Sequence, residues 1–342
     1  MKTNTVQLAS FAEELSIELQ QIHNYYASSQ LVKFGGTHER ADKCIITYAG
    51  ILWSFSAAFN AKLITNLDTA ERTYHYIINH FIDIDFGGVF WSIDYHGNPK
   101  QTKKQIDVIA FTINAFSEYF MACGDELVKE HAIVLYKDLV KHSHHLEKGS
   151  YEEAFNREWE EVVDPSFYNI DIDREKSLNT PLYVLEGLSN LYNIWPDIHL
   201  KALILKFLND FTAPMLKATH MPLVANGYDI KASWLLCKTA MVVEAADLMA
   251  SMKTLSVKMA EATLSGLDDD EQLWSAFEHC WVQAQALVSF FNAWQINADR
   301  RFLHAAMKCW AEVKSNMLHK VHKECCAYHN FNAGIELLRR IS

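Results

Sequence analysis

The chain has 342 residues, of which 50% are hydrophobic, and this is enough apolar sequence to build a large core. It contains only six prolines and twelve glycines, too few for an all-β protein that is rich in turns. The formal net charge of -11 argues against a nucleic-acid-binding groove, because such a groove needs a basic face.

The N-terminal segment is polar and amphipathic, without a charged stretch followed by an apolar stretch, so we predict no signal peptide. No run of about eighteen uncharged apolar residues is present, and no basic cluster is long enough to suggest an anionic membrane surface. The seven cysteines are scattered and odd in number. Most lie inside apolar helical patterns, so we expect reduced thiols and a cytoplasmic location.

Apolar residues recur at three- and four-residue steps along almost the whole chain, which is the spacing of one helix face. This pattern predicts about twelve helices, at Phe11–Leu31, Ile45–Ile64, Thr73–Phe81, Ile106–Met121, Leu127–Leu146, Leu178–Ile194, Ile198–Met215, Ser233–Met249, Leu255–Leu264, Leu273–Ile296, Phe302–Met317 and Ala333–Ile341. Four aspartates stand where a new helix is expected and are predicted N-caps, because a carboxylate accepts the free N–H groups of the first turn. They are Asp68, Asp125, Asp197 and Asp299.

Two stretches break the helical pattern. Gly87–Tyr95 partly alternates apolar and polar residues, and His96–Pro99 is typical of a turn, so a short strand and hairpin are predicted. Lys148–Lys176 is polar and acidic with little periodicity, and we expect a loop at one mouth of the fold, where insertions carry function.

The helices form a weak repeat of pairs, each of roughly fifty to seventy residues, which indicates a stacked or closed array of α-hairpins. Six hairpins fit an all-α fold, an (α/α)6 barrel with the short β-hairpin and the mouth loop, in one domain over residues 1–342. Periodicity alone does not separate this barrel from an open solenoid.

The stretch from Asn226 to Leu236 begins with a turn and continues as an apolar helix, in which Tyr228 and Lys231 share one face. It resembles the inner helix of the N-acylglucosamine 2-epimerase and cellobiose 2-epimerase family, whose members usually have Gly-His-Asp-x-Glu-Ala-Ser-Trp-Leu-Leu there. Further stretches resemble the same family in the same order between about Lys43 and Ile341: Ile51–Phe59, Gly87–Tyr95, Gly97–Pro99, Lys103–Gln105, Leu185–Glu186, Leu191–Tyr192, Trp195–Asp197 and Tyr328–Asn330.

The resemblance implies an enzyme that moves a proton at the carbon next to a sugar carbonyl. Epimerisation returns that proton to the opposite face, so it needs two acid/base groups flanking the carbon. A cation or hydrogen-bond donors must also stabilise the oxyanion of the enediolate. Histidine suits the base role because its pKa lies near the working pH.

The matching positions of this chain keep only part of that set. His329 matches one catalytic histidine, but Tyr228 stands where the other belongs and Lys231 stands where a glutamate belongs. Further exchanged positions are Gly50 for arginine, Asp107 for tyrosine, Pro181 and Tyr183 for two histidines, Gln285 for glutamate and Asn332 for arginine. Tyrosine has a pKa near 10 and is a poor base at neutral pH, so negligible 2-epimerase activity is predicted.

The predicted catalytic residues are His329, Tyr228 and Lys231. The predicted substrate-binding residues are Asp107, Tyr183, Gln285, Trp53, Trp91 and Trp281. Most of them have a structural alternative: His329 as a hydrogen-bonded remnant, Lys231 as a solvated lysine, and the tyrosines and tryptophans as core packing. No metal is predicted, because the histidines at 142, 144 and 145 do not share a helix face at i and i+4 and no set of carboxylates accompanies them. No cofactor is predicted.

Three functional hypotheses follow. The first is a repurposed enzyme that uses acid/base chemistry on a small molecule, less polar than a sugar. The second is a one-base aldose–ketose isomerase or residual epimerase, and the third is a non-catalytic binding protein. In each case the expected partner is a small molecule, without nucleic acid or membrane, and the expected state is a monomer or homodimer.

Overall fold

The computed structural model describes residues 2–28, 39–142, 154–161, 179–217, 227–269, 280–317 and 324–341. Within these residues the chain forms twelve helices, α1 Lys2–Ser28, α2 Ile45–Asn60, α3 Asp68–His80, α4 Ile106–Cys123, α5 Glu126–His142, α6 Asn179–Ile194, α7 Ile198–Lys217, α8 Gly227–Val242, α9 Ala246–Asp269, α10 Cys280–Asn297, α11 Arg300–Met317 and α12 Glu324–Ile341. Five short strands accompany them: β1 Lys43–Cys44, β2 Ser92–Ile93, β3 Pro99–Gln101, β4 Lys104–Gln105 and β5 Ala154–Phe155.

The chain folds into two compact units. Unit 1 comprises residues 1–25, 61–65 and 208–342, and unit 2 comprises residues 26–60 and 66–207. In unit 1, α10 packs against α8, α9, α11 and α12; in unit 2, α4 packs against α2, α5 and α6. The single domain stays a prediction.

The prediction of about twelve helices is confirmed, but several boundaries were wrong: α1 and α12 each begin nine residues before the predicted helix. The predicted helix Ser233–Met249 is two helices, because α8 ends at Val242 and α9 begins at Ala246. Between them Glu244 has a φ of 52°, in the left-handed region that interrupts a right-handed helix. Apolar periodicity continues across such a break, so it could not reveal the break.

Three of the four predicted N-caps are confirmed. Oδ1 of Asp197 accepts from the backbone N–H of His199 at 2.8 Å, and Asp125 and Asp299 accept in the same way at 3.0 Å and 2.9 Å. Asp68 is the exception, because it is the first residue of α3 and its preceding residue Leu67 makes no side-chain cap. An aspartate in the first turn still favours the helix through the helix dipole.

The predicted hairpin is confirmed, with a strand shorter than the alternating stretch. β2 pairs antiparallel with β3, with Ser92 opposite Gln101. The turn between them is closed by Asp94, whose Oδ1 accepts from the backbone N–H groups of His96 and Asn98, each at 2.9 Å. Gly97 has a φ of 93° there, a backbone conformation that favours glycine.

α4 is the one helix of the described residues that is long and apolar enough to cross a membrane, although the sequence was expected to contain none. It carries the acidic residues Asp107 and Glu118 and is mostly buried inside unit 2. A core helix that is surrounded on several sides is hydrophobic all round, and its contacts with three helices of unit 2 account for this composition.

α4 and α6 approach each other closely at a glycine. A Cβ atom built at Gly187 on α6 would lie 2.3 Å from the backbone oxygen of Ala110 on α4. No side chain has room between these two backbones, so the absence of a side chain at Gly187 sets the separation of the two central helices of unit 2.

We predict that Gly187→Ala destabilises the protein by about 1–3 kcal/mol, because the added methyl group forces the two helices apart. Glycine-to-alanine changes inside a helix otherwise stabilise a protein by roughly 0.5–1 kcal/mol. A loss of stability in Gly187→Ala would therefore be evidence for the close approach of the two helices. Urea unfolding of Gly187→Ala measures it, with Asn193→Ala on the exposed side of the same helix as the control. A stabilised Gly187→Ala protein would contradict the close approach.

A buried ion network ties the loop after α3 to the start of α4. Asp83 and Lys104 have fully buried side chains, and Nζ of Lys104 donates to Oδ2 of Asp83 at 2.7 Å. Arg157 completes the network with Nε 2.9 Å from Oδ2 of Asp83 and Nη2 3.0 Å from Oδ1. Burial alone would raise the pKa of Asp83, but the hydrogen bonds from Arg157 and Lys104 outweigh it and lower the pKa to about 2.

Arg157 comes from the stretch predicted as a mouth loop, Lys148–Lys176, of which residues 154–161 are described. Here β5 pairs antiparallel with β4, with Phe155 opposite Lys104. The stretch is therefore attached to unit 2 by a strand pair and an ion network. The remainder of the predicted loop lies outside the described residues.

We predict that Asp83→Asn costs roughly 3–5 kcal/mol at neutral pH, because it leaves the buried Lys104 without its counterion. Urea unfolding measures this loss. Asp85→Asn is the control, because Asp85 also pairs with Arg157 but is 63% exposed, and we expect it to cost less than about 1 kcal/mol.

Asp83→Asn should also change how the stability of the protein depends on pH. The carboxyl pKa of Asp83 is lower in the folded chain than the ordinary value of about 3.9, so its stabilisation is present above pH ~4 and is lost as pH falls towards about 2. Asp83→Asn should therefore lose less stability between pH 4 and pH 2 than the unmodified protein. An equal loss of stability between pH 4 and pH 2 in Asp83→Asn and in the unmodified protein would contradict an ionised Asp83.

Candidate functional site

α8 carries the first predicted site residues near its N-terminal end. The helix begins at Gly227, and the side chain of Tyr228 lies outside the described residues. Lys231 is only 3% exposed, so the alternative of a solvated lysine at this position was wrong. An ammonium group is costly to bury, and a buried one creates a strong positive potential in its surroundings.

His329 lies on α12 and is also buried, with 5% of its surface exposed. Its ring packs against Trp281 of α10, with ring centroids 5.7 Å apart and an angle of 42° between the planes. Burial lowers the pKa of His329, and the positive charge of Lys231 lowers it further, to about 3. The imidazole is therefore neutral at neutral pH and has a nitrogen that can accept a proton.

Gln285 lies four residues after Trp281 on α10, so the two share a helix face. Oε1 of Gln285 accepts a hydrogen bond from Nε1 of Trp234 on α8 at 3.0 Å. This bond fixes the direction of the amide, and Nε2 is then buried without a hydrogen-bond partner among the residues that the structure describes. Trp234 is three residues after Lys231, so one turn of α8 connects the amide to the cation.

Further along the same three helices a buried ion network holds them together. Glu336 of α12 accepts from Nζ of Lys238 on α8 at 2.7 Å and from Nε of Arg340 at 2.8 Å. Arg340 also donates from Nη1 to Oδ1 of Asn292 on α10 at 2.8 Å. Burial alone would raise the pKa of Glu336, but the two cations outweigh it and lower the pKa to about 2. The network fixes α8, α10 and α12, the helices that carry Lys231, Trp281 and His329.

The remaining predicted residues belong to unit 2. Nζ of Lys103 lies 4.6 Å from the ring centroid of Trp91, a cation–π contact. Lys103 is 5% exposed, and burial lowers its pKa while the charge of Asp107 acts in the opposite direction. Asp107 stands in the first turn of α4, where its Oδ1 accepts from the backbone N–H of Val108 at 2.9 Å.

Tyr183 on α6 contacts Phe111 of α4, one turn beyond Asp107, with ring centroids 5.9 Å apart. Trp53 on α2 is 3% exposed and is part of the core of unit 2, as its structural alternative predicted. Gly50 on α2 and Pro181 in the first turn of α6 are also buried. Proline is tolerated there because the first turn of a helix has free N–H groups.

The predicted residues thus fall into two sets. Unit 1 brings His329, Lys231, Trp281 and Gln285 onto adjoining helices. Unit 2 holds Asp107, Tyr183, Trp53 and Trp91. Lys103 and Glu336 were not predicted from the sequence. Glu336 lies between apolar residues of α12, and this was an available signal because a buried charge must be paired, whereas the polar stretch around Lys103 gave no such signal.

In the described ranges no group of three His, Cys, Asp or Glu side chains is arranged to hold a metal ion. The ring of His142 is stacked on Trp159, with centroids 4.4 Å apart and an angle of 11°. The other two histidines of that stretch, at 144 and 145, lie outside the described residues.

Curated relatives cover most of this chain. The cellobiose 2-epimerase of Bacteroides fragilis is 34% identical over 349 residues, covering 87% of this chain and 88% of that protein. The cellobiose 2-epimerase of Ruminococcus albus is 30% identical over 305 residues, covering 82% of this chain and 78% of that protein. No protein-family model matches the chain.

Solved structures of epimerases are also similar to this chain over most of its length. A sugar epimerase from a ruminal bacterium has a TM-score of 0.73 at 26% identity, over 88% of this chain and 89% of that one. The cellobiose 2-epimerase of Bacillus thermoamylovorans has a TM-score of 0.75 at 25% identity, over 89% and 90%. The fold class is therefore all-α, the (α/α)6 barrel, as the sequence predicted.

We predict that Lys231→Met raises the pKa of His329 above about 3, because it removes the nearby positive charge while burial keeps the pKa below the ordinary value of 6.5. NMR titration of the imidazole nitrogens measures the change. Lys258→Met on α9, where the lysine is exposed, is the control and should leave the titration unchanged. An equal pKa in Lys231→Met would show that the charge of Lys231 does not reach His329.

Proposed function

The chain belongs to the cellobiose 2-epimerase family, and we propose that it has exchanged the two-histidine 2-epimerase chemistry for acid/base chemistry with one histidine and one cation. One observation carries the proposal: the buried, neutral His329 lies in the field of the buried Lys231. Tyr228, on the same helix as Lys231, occupies the place of the second histidine. The protein is proposed to act on a small carbonyl compound.

The proposed reaction starts at the carbon next to the carbonyl group of the ligand. A ring nitrogen of His329 takes the proton from this carbon, and the electron pair of the broken C–H bond moves to the carbonyl oxygen to form an enolate. The ammonium of Lys231 stabilises the negative oxygen. A low imidazole pKa makes His329 a weak base, so the reaction depends on Lys231 making the C–H group more acidic.

Epimerisation needs a second group that returns the proton to the opposite face. In the resembled family a histidine stands at the position of Tyr228, and a phenol with an ordinary pKa near 10 is a poor acid/base partner at neutral pH. Loss of one acid/base group reduces the rate by roughly 10² to 10⁴, so the standard 2-epimerase activity is proposed to be lost.

The exchanged residues of unit 2 are less polar than those of the resembled family. Gly50 and Pro181 are buried and have no polar side-chain group, and Tyr183 contacts the ring of Phe111. They replace an arginine and two histidines of the resembled family. Unit 2 is therefore proposed to be roomier and more apolar at these positions than in a cellobiose 2-epimerase.

A second candidate function is aldose–ketose isomerisation of a sugar. This exchange moves a proton between neighbouring carbons on one face of the enediolate, so it needs one base. His329 is a single buried imidazole in its proton-accepting form, and this favours one-base isomerisation over epimerisation.

The proposal also covers the number of domains, the oligomeric state and the location of the protein. We propose one domain, acting as a monomer or homodimer on a small molecule. A cytoplasmic location is supported by Cys123, Cys237 and Cys309, which are free thiols in the structure.

We predict that the purified protein exchanges solvent deuterium at the carbon next to the carbonyl group of small carbonyl compounds, and that His329→Gln lowers this exchange by at least about 10²-fold. Proton NMR in D₂O measures the exchange with dihydroxyacetone, mannose, fructose and cellobiose. His304→Gln is the control, because His304 is an exposed histidine on α11.

Conversion of cellobiose to its 2-epimer by the unmodified protein would refute the loss of epimerase function. Exchange with fructose or mannose alone would favour the sugar isomerase. No exchange with any of these compounds, together with a shift in the melting temperature in their presence, would favour the non-catalytic binding protein.

A further inference from the structure

We propose that residues 154–161 form a strap that opens and closes as one piece on the turn at residues 83–88, while the helices of unit 2 stay folded. Closure of the strap orders β4 and the first turn of α4. The contacts that hold the strap, the bonds inside it and one strained residue point to this motion.

The strap is attached to this turn by hydrogen bonds, several of which are open to solvent. Arg157 donates to the two carboxylate oxygens of Asp83 at 2.9 Å and 3.0 Å and to Asp85 at 2.8 Å, and 32% of its side chain is exposed. Nε1 of Trp159 donates to the backbone oxygen of Phe86 at 2.8 Å. Segments held by exposed hydrogen bonds open at a lower free energy than the core of a protein.

The apolar part of the strap is small. Phe155 and Trp159 are its large buried apolar side chains. Opening of the strap exposes these two rings, whereas unfolding of unit 2 exposes the whole of its core. The free energy of opening rises with the apolar area that becomes exposed, so the strap opens more easily than the unit unfolds.

The strap has hydrogen bonds of its own, which keep its shape when it moves. The backbone N–H of Asn156 donates to the backbone oxygen of Glu160 at 2.9 Å, and Oδ1 of Asn156 accepts from the backbone N–H of Glu160 at 2.8 Å. Nδ2 of Asn156 also donates to Oε2 of Glu160 at 2.9 Å. None of these three bonds involves the turn, so none is lost when the strap leaves it.

Trp159 has a strained backbone conformation while the strap is closed. Its φ of 68° lies in the left-handed region, which residues other than glycine rarely adopt. Two contacts outside the strap hold it there: the hydrogen bond to Phe86, and stacking of the indole on the ring of His142 with centroids 4.4 Å apart. Such strain persists only where surrounding contacts enforce it, and it is common in switch regions. Its release favours the open strap.

Closure of the strap reaches the start of α4 through a pair of strands. β5 of the strap pairs with β4, which directly precedes α4, and Phe155 lies opposite Lys104. The residue before Lys104 is Lys103, whose Nζ lies 4.6 Å from the ring centroid of Trp91. With the strap open, β4 has no strand partner in the part of the chain that the structure describes. The support of Lys103, and of Asp107 in the first turn of α4, is then weaker.

The alternative is a strap that opens only when the whole of unit 2 unfolds. Two indole N–H groups allow a comparison: that of Trp159, bonded to Phe86 at 2.8 Å, and that of Trp234, bonded to Gln285 at 3.0 Å. We expect the indole N–H of Trp159 to exchange with D₂O at least about 10²-fold faster, because it needs only the opening of the strap. NMR of the protein with 15N-labelled tryptophan measures both rates, and Trp159→Phe identifies the signal.

A variant tests the attachment of the strap. Arg157→Gln removes its charged contacts and leaves the buried pair of Asp83 and Lys104 in place. We expect the indole of Trp159 and the amides of β4 and of the first turn of α4 to exchange about 10-fold faster, the lower end of the range for a charged hydrogen bond. The amides in the middle of α4 should not change. Mass spectrometry measures the amides, and Glu158→Gln, at an exposed position of the strap, is the control.

Equal exchange rates of the two indole groups in the unmodified protein would overturn the inference, and this comparison needs no variant. An increase in Arg157→Gln that is as large in the middle of α4 as in the strap would also overturn it, because the strap would then be a fixed part of unit 2. Faster exchange of the Trp159 indole without faster exchange in β4 would refute the ordering of α4 by the strap.

Discussion

A buried carboxylate, Glu336, determines how the helices of the candidate site are held. It binds Lys238 and Arg340 at 2.7 Å and 2.8 Å, and Arg340 continues to Asn292, so three helices are joined by charged hydrogen bonds inside one unit. Removing one member of such a network leaves a charge buried without its counterion, which is costly. The positions of the side chains one and two turns away, including those around His329, depend on it.

In unit 2 a buried carboxylate is also held by two cations. Asp83 sits between Lys104 and Arg157, and the two cations keep the carboxylate ionised in spite of its burial. In both units a carboxylate with two cations satisfies its oxygens. Elsewhere in unit 1 burial lowers the pKa of His329, and the charge of Lys231 lowers it further. A strongly shifted pKa marks a residue as a candidate for function.

Periodicity in the sequence was sufficient for the helices and the hairpin, because these depend on local patterns of apolar residues and turn formers. The closed barrel also needed the family resemblance, because periodicity alone does not separate it from an open solenoid. Periodicity failed at Glu244, where the backbone turns left-handed without any change in the pattern, and at Asp68, which lies one position inside its helix. The burial of Lys231 and the pairing of Arg157 with Asp83 were also missed. Both depend on contacts between distant segments, and single positions in a sequence carry no record of such contacts.

Burial lowers the pKa of His329, and the charge of Lys231 lowers it further, so this charge has two opposite effects on the proposed proton transfer. A cation beside the ring makes the imidazole a weaker base, and the same cation makes a carbonyl compound a stronger carbon acid by stabilising its enolate. Proton transfer depends on the difference between the two pKa values, so the cation favours reaction only where the ligand's oxygen lies nearer to Lys231 than the ring does.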